Sequence, residues 1–86
     1  MPVLSFDERV IVAPVVGVFR SVFEDGNACG RPVDVGQAIG AMQGIGVSTD
    51  VCSPFRGVLA GMLAGDGERL RQGEPVAWLR VTRSEI

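Results

Sequence analysis

Two similar stretches decide the fold: Ile11-Val-Ala-Pro-Val-Val-Gly-Val-Phe19 and Val51-Cys-Ser-Pro-Phe-Arg-Gly-Val-Leu59. Each begins with a β-branched residue, Ile11 or Val51, and reaches a proline three residues later, Pro14 or Pro54. Proline has no N–H to donate to a β-ladder, so each run is predicted to end as a strand at that point. A repeat at this spacing indicates two copies of one structural unit.

The repeat continues beyond these stretches, because Gly30–Met42 matches Gly67–Leu79, and the first unit is three residues longer than the second. Turns are predicted at Gly36-Gln37 and Gly73-Glu74, where glycine adopts positive φ at little cost. Short strands with regular turns and little helical periodicity are typical of an all-β barrel or sandwich. The predicted strands are Val10–Ala13, Val15–Arg20, Ala38–Gln43, Val51–Ser53, Val58–Leu63 and Pro75–Val81.

Two segments lie outside the repeat of this single predicted domain, residues 1–86. Residues 1–9 are expected to form a strand or tail that closes the barrel edge through Val3, Leu4 and Phe6. The insertion Val22–Asn27 in the first half contains turn-forming residues at Asp25-Gly26-Asn27.

The order of the motifs resembles the biotinyl/lipoyl domain, and most of all the biotin carboxyl carrier domain of acetyl-CoA carboxylase. The resemblance runs through Ile11–Phe19, Val33–Gly36, Ser53–Leu59 and Gly67–Val76. It implies a flattened β-barrel or sandwich of two four-stranded antiparallel sheets with an internal pseudo-twofold repeat, a barrel-sandwich hybrid. It also implies that Val22–Asn27 is a shortened form of the "thumb" of that branch.

In biotin carriers the hairpin between the halves reads E-A-M-K-M and its lysine accepts the prosthetic group. Here Gln43-Gly44-Ile45-Gly46-Val47 occupies that motif, with Gly46 at the lysine position and apolar flanks at Ile45 and Val47. All eight basic residues of the chain are arginines. Biotin or lipoate ligation needs a lysine ε-amine, so no cofactor is expected. The hairpin is either a shortened turn packed on its own barrel or an apolar tip, Gly44 to Val47, that docks onto a partner or a second copy.

Composition narrows the partner classes. A net charge of −2 with scattered arginines argues against nucleic acid. No apolar run is long enough to span a membrane and none resembles a signal peptide, so a cytoplasmic location is expected. The two cysteines, Cys29 and Cys52, are expected to be free thiols, and without histidine no metal site is expected.

The residues available for catalysis are few, because histidine, lysine and tyrosine are all absent. The candidate acid–base or nucleophilic groups are Glu24, Asp25, Asp50 and Cys52. The larger aromatic side chains are expected either to fill the core or to line one apolar pocket under the thumb. These are Phe19, Phe23, Phe55 and Trp78.

Two functional hypotheses follow, together with a structural one. The first is a non-acceptor carrier-like protein that docks onto a protein of acyl-CoA carboxylation, fatty-acid or polyketide metabolism. The second is a carrier scaffold reused as a small biosynthetic enzyme, a cyclase, dehydratase or isomerase, that holds a hydrophobic substrate. The third is a subunit that self-associates through a sheet edge or the Ile45 tip.

Overall fold

The computed structural model describes residues 4–23 and 29–84, with side chains described for 7–23 and 29–81. This part of the chain forms eight strands and no helix. The strands are β1 (Leu4–Val12), β2 (Gly17–Ser21), β3 (Pro32–Val33), β4 (Ala38–Gly44), β5 (Val47–Cys52), β6 (Gly57–Met62), β7 (Arg69–Leu70) and β8 (Pro75–Ser84).

The strands pair into two four-stranded antiparallel sheets. Sheet A has the order β1-β8-β6-β3 and sheet B has the order β5-β4-β2-β7. Adding four to each strand number of sheet A, with β1 counted after β8, gives the strand order of sheet B. The two sheets therefore have the same topology. The two sheets are not closed into a barrel. The expected flattened barrel is therefore wrong in that respect, and the architecture is a β-sandwich.

The chain changes sheet at every connection between described strands except one. β1 and β2, for example, lie in different sheets, and the polypeptide crosses near Pro14. The crossing from β5 to β6 near Pro54 repeats this arrangement. Proline interrupts the hydrogen bonding of a ladder, which frees the chain to leave its sheet. Only β4 and β5 follow each other as a hairpin.

The core lies between the sheets and repeats the internal symmetry. Six buried residues of the first half occupy the same places as six buried residues of the second. The matched pairs are Ile11/Val51, Ala13/Ser53, Phe19/Leu59, Val33/Leu70, Ile39/Val76 and Met42/Leu79. The repeat read from the sequence is therefore a repeat of the packing.

Hydrogen bonds at the turns connect each half to the other. The N–H of Gly36 donates to the carbonyl of Ser53 at 2.7 Å, and the N–H of Gly73 donates to the carbonyl of Ala13 at 2.8 Å. Both glycines have positive φ, 83° and 86°, a conformation that costs an L-residue about 1–2 kcal/mol. The two predicted turns are therefore confirmed, and they join the halves as well as reversing the chain.

Residues 4–9, expected as a strand or a tail, form a strand that is continuous with Val10–Val12, because they pair with β8 from Leu4↔Ser84 to Arg9↔Leu79. The two-residue strands β3 and β7 are not among the strands named from the sequence. Val3 lies outside the described residues, and Phe6 lies in β1 outside the described side chains.

Candidate functional site

The β4–β5 hairpin is the most exposed apolar projection that the described residues form. Its ladder is regular from Gly40↔Val51 through Gln43↔Ser48 to Gly44↔Val47, so strand pairing reaches the last residues before the turn. Only Ile45 and Gly46 lie between the paired ends. The tip is therefore a two-residue turn on a continuous ladder.

The turn places one large apolar side chain in water. Gly46 has a φ of 68°, so the turn depends on a residue that accepts the left-handed region. Ile45, which has negative φ, is fully exposed, and Val47 beside it is 63% exposed. The interpretation of the hairpin as a turn packed on its own barrel does not fit Ile45, because its side chain does not pack against the core.

Polar contacts brace the hairpin from its β2 side. The Nε of Arg20 donates to the Oε1 of Gln43 at 3.2 Å, which ties the middle of β2 to the hairpin strand β4. The same guanidinium lies 3.7 Å from a carboxylate oxygen of Asp66. Asp66 in turn accepts a hydrogen bond from the N–H of Ser21 at 2.9 Å. All of these side chains are exposed, so each contact contributes little to the free energy of unfolding.

The four aromatic residues predicted to share a pocket have different surroundings. Phe19 is completely buried in the core, where it lines no surface. Phe23 lines an open hollow of about 570 Å³ with Met62 and Asp66, whereas Trp78 lines a separate shallow hollow with Cys29. Phe55 packs against the core, and the guanidinium of Arg9 lies 5.9 Å from its ring centre. The structure does not bring these side chains into one pocket, because alternation along the strands points Phe19 inward and Trp78 outward.

The candidate catalytic groups are also dispersed. Asp50 and Cys52 both lie on β5 and are exposed on the outer face of sheet B, opposite Ala41 and Ala38. Glu24 and Asp25 lie outside the described residues. Cys29 is exposed and its thiol donates to the carbonyl of Ala60 at 3.1 Å.

Neither cysteine takes part in a disulfide, and the part of the chain described here holds no group of three or more His, Cys, Asp or Glu side chains that could bind a metal ion. Among the same residues there is no helix long and apolar enough to cross a membrane.

Comparison with known proteins gives no identification. No protein-family model matches the chain, and no curated protein shows significant similarity to it. The observed architecture therefore stands on the strand topology and the internal repeat alone.

Sequence reasoning missed a second exposed apolar surface, on the outer face of sheet A. Trp78 was expected to fill the core or to line the pocket, but it lies half-buried on this outer face, directly opposite Val10 in the ladder. One signal was present in the sequence. Val10-Ile11-Val12 is apolar at three consecutive positions, so a strand there is apolar on both faces.

Proposed function

We propose that this chain is a carrier-like docking module, a biotinyl/lipoyl-type sandwich that binds a protein partner through its hairpin tip and carries no prosthetic group. The observation that carries the proposal is the fully exposed Ile45 at the end of the β4–β5 hairpin. Two features support a relation to the carrier fold: the shared strand order of the two sheets and a single hairpin at the centre of the repeat.

The chemistry of the tip favours docking over modification. A biotinyl or lipoyl group is held by an amide on a lysine ε-amine, and all eight basic residues here are arginines. Gly46 fills the position that the resemblance gives to the acceptor lysine. The neighbouring side chain, Ile45, offers apolar surface whose burial in a partner contributes about 1.5–3 kcal/mol.

The geometry also suits recognition. A two-residue turn on a regular ladder loses little conformational entropy when it binds, because its backbone is already ordered by strand pairing. Strand pairing of β4 with β2, from Ser21↔Gly40 to Val18↔Gln43, holds the base of the hairpin. The partner is a protein of acyl-CoA carboxylation, fatty-acid or polyketide metabolism in the cytoplasm, which is the context that the resemblance suggests.

The enzyme alternative gains no specific support from the described residues. The reactivity of a catalytic carboxylate or thiol is normally raised by burial or by a charged neighbour. Asp50 and Cys52 are instead exposed on the outer face of β5. We therefore place the function at the hairpin.

The test is site-specific photo-cross-linking in the cells that make the protein. A photoreactive amino acid at Ile45 should capture one protein partner, because this side chain enters the interface. The same amino acid at Val35, which is 66% exposed in the β3–β4 turn, is the matched control and should not capture that protein. Capture from Val35 but not from Ile45, or from neither position, would contradict the proposal.

A further inference from the structure

The described strands leave four sheet edges, and these differ in kind. A sheet edge presents a row of backbone N–H and C=O groups with which another strand can pair. The edges of sheet A are β1 and β3, and those of sheet B are β5 and β7. β3 and β7 have two residues each, too few to guide a further strand. The long edges are therefore β1 and β5, which occupy equivalent places in the internal repeat.

The hairpin determines which backbone groups of β5 face away from its sheet. Gly44 and Val47 close a two-residue turn, so they form the hydrogen-bonded pair that ends the ladder. Because pairs in an antiparallel ladder alternate, Thr49 is bonded to β4, whereas Ser48 and Asp50 turn their N–H and C=O groups outward. Both of these residues are exposed. The edge of β5 therefore offers two donors and two acceptors in a row.

The equivalent edge of β1 is closed by an arginine. Glu8 occupies the place of Ser48 in the repeat, so its carbonyl faces outward from sheet A. The Nη1 of Arg9 donates to that carbonyl at 2.9 Å, and the Nη2 of Arg9 lies 3.6 Å from a carboxylate oxygen of Asp7. A strand that approaches this edge meets three consecutive charged residues and a carbonyl that is already bonded. β1 is therefore protected against strand addition.

The corresponding part of β5 lacks this protection. Val47, Ser48 and Thr49 stand in place of the three charged residues of β1. Among the described residues, no side chain bonds to the backbone of Ser48 or Asp50. Valine and threonine are favoured in strands, and Val47–Cys52 contains neither glycine nor proline. The β5 edge is therefore both open and favourable for strand pairing.

Asp50 determines which strand fits this edge. Its carboxylate is exposed on the outer face of sheet B, and within the described part of the chain it forms no ion pair. A basic side chain directly opposite Asp50 would stabilise an added strand, whereas a carboxylate there would destabilise it. A second copy of β5 supplies no cation, because Val47–Cys52 has no basic residue, and it brings a second Asp50 to the same face. Charge therefore favours a strand of another protein over self-pairing.

We propose that the β5 edge binds an extended segment of a partner protein as a fifth strand of sheet B. The added strand runs antiparallel to β5, the slightly more stable arrangement, and places a lysine or arginine opposite Asp50. Its backbone bonds to the outward groups of Ser48 and Asp50. The inference rests on the proposed function in one respect, namely that the segment belongs to the protein that receives Ile45. The strand β5 begins two residues after Ile45, so one partner can contact both.

A designed peptide tests the β5 edge in the absence of the partner. The probe is acetyl-Val-Lys-Val-Thr-Val-amide, whose lysine and threonine lie opposite Asp50 and Ser48 in the antiparallel register. In an amide NMR titration it should bind with a dissociation constant of about 1 mM, because a short peptide must be ordered on binding. Amide exchange should slow at Ser48 and Asp50 but not at Thr49, which is already bonded to β4. Unchanged exchange at Ser48 and Asp50 would overturn the proposal.

An exchange of charges tests the position of the basic residue. Replacing the lysine of the peptide with glutamate should weaken binding about tenfold, because two carboxylates then lie opposite each other. The Asp50→Lys variant should reverse this order and bind the glutamate peptide more tightly. Equal binding of both peptides to the wild-type chain would contradict the assignment of a basic residue opposite Asp50.

Copying the protection of β1 into β5 tests the site itself. Thr49→Arg places a guanidinium where Arg9 lies in sheet A, so it should weaken peptide binding about tenfold. Thr49→Val is the matched control, because it leaves the edge open and should bind the peptide as the wild type does. Equal circular dichroism and melting temperature show that both variants fold. Wild-type affinity in Thr49→Arg would overturn the proposal.

Cross-linking separates this inference from the proposed function. With the photoreactive amino acid at Ile45, capture of the partner should fall in a Thr49→Arg background and persist with Thr49→Val. Equal capture in both backgrounds would overturn the strand addition and leave the tip docking intact. Peptide binding without any capture from Ile45 would contradict the tip docking alone. A wild-type dimer that Thr49→Arg abolishes in sedimentation would overturn the choice of a partner protein over a second copy.

Discussion

At the scale of single residues, the two halves of the core are filled by side-chain pairs of different sizes at equivalent positions. The largest core side chain of the first half, Phe19, lies against Gly40, and a Cβ at Gly40 would meet its ring at 2.5 Å. The equivalent pair in the second half is Leu59 and Ala77, both completely buried. A larger side chain facing glycine and a smaller one facing alanine keep the volume of the core similar in both halves.

Gly40→Ala tests this compensation. The added methyl group meets both Phe19 and the carbonyl of Arg20, so the variant should lose about 1–3 kcal/mol of unfolding free energy. The double variant Phe19→Leu/Gly40→Ala copies the second half and should be less destabilised than the sum of its single changes. Urea denaturation of the four proteins gives the coupling energy. Strictly additive losses would contradict the proposed compensation.

Residue patterns predicted the core well and the pocket poorly, for a common reason. The repeat placed Phe19 and Leu59 at equivalent positions, and both are buried. A shared pocket, however, depends on which sheet face each aromatic side chain occupies. Four consecutive residues of β8, Val76 to Leu79, are apolar, so the sequence did not show which of them face the core.

At the scale of elements, the two strands that were not named from the sequence are those held only by partners distant in the chain. β3 and β7 have two residues each, too few for any hydrophobic period. They exist through partners far away in sequence, such as the hydrogen bond from the N–H of Leu59 to the carbonyl of Arg31, beside β3. The sequence left residues 4–9 as a strand or a tail, and the pairing of Asp7, Glu8 and Arg9 with β8 makes this segment the first part of β1.

A lysine at position 46 tests whether the β4–β5 hairpin is related to the acceptor hairpin of biotin carriers. Gly46→Lys restores an ε-amine at the tip, at a cost of about 1–2 kcal/mol for a side chain at a φ of 68°. Biotin ligase should attach biotin to this variant, seen as an increase in chain mass. Val35→Lys offers an equally exposed amine outside the hairpin and should stay unmodified. Absence of label from Gly46→Lys would show that the tip no longer has acceptor geometry.

At the scale of the whole molecule, the halves are interlocked rather than placed side by side. Sheet A takes β1 and β3 from the first half and β6 and β8 from the second, and sheet B mixes the halves in the same way. The N–H of Gly67 donates to the carbonyl of Phe19, and the N–H of Gly30 donates to the carbonyl of Leu59, both at 2.7 Å. Neither half can complete a sheet by itself.

Cutting the chain between Ile45 and Gly46 should therefore give two fragments that are unfolded alone and fold when mixed. The cut breaks the chain only within the two-residue turn, and the ladder from Gly44↔Val47 inward remains available. Circular dichroism of each fragment and of the equimolar mixture measures the result. A fragment with native-like β-signal by itself would contradict the interlocked arrangement.

Native mass spectrometry tests whether Ile45 docks an otherwise unmodified chain onto a protein partner, as proposed. Wild type and Ile45→Asp would be purified gently from the cells that make the protein. Wild type should give a stoichiometric complex, with the chain at its unmodified mass of 9.1 kDa, and Ile45→Asp should lose the partner. A partner retained equally by both proteins, or a wild-type chain with no protein partner, would rule out docking through Ile45.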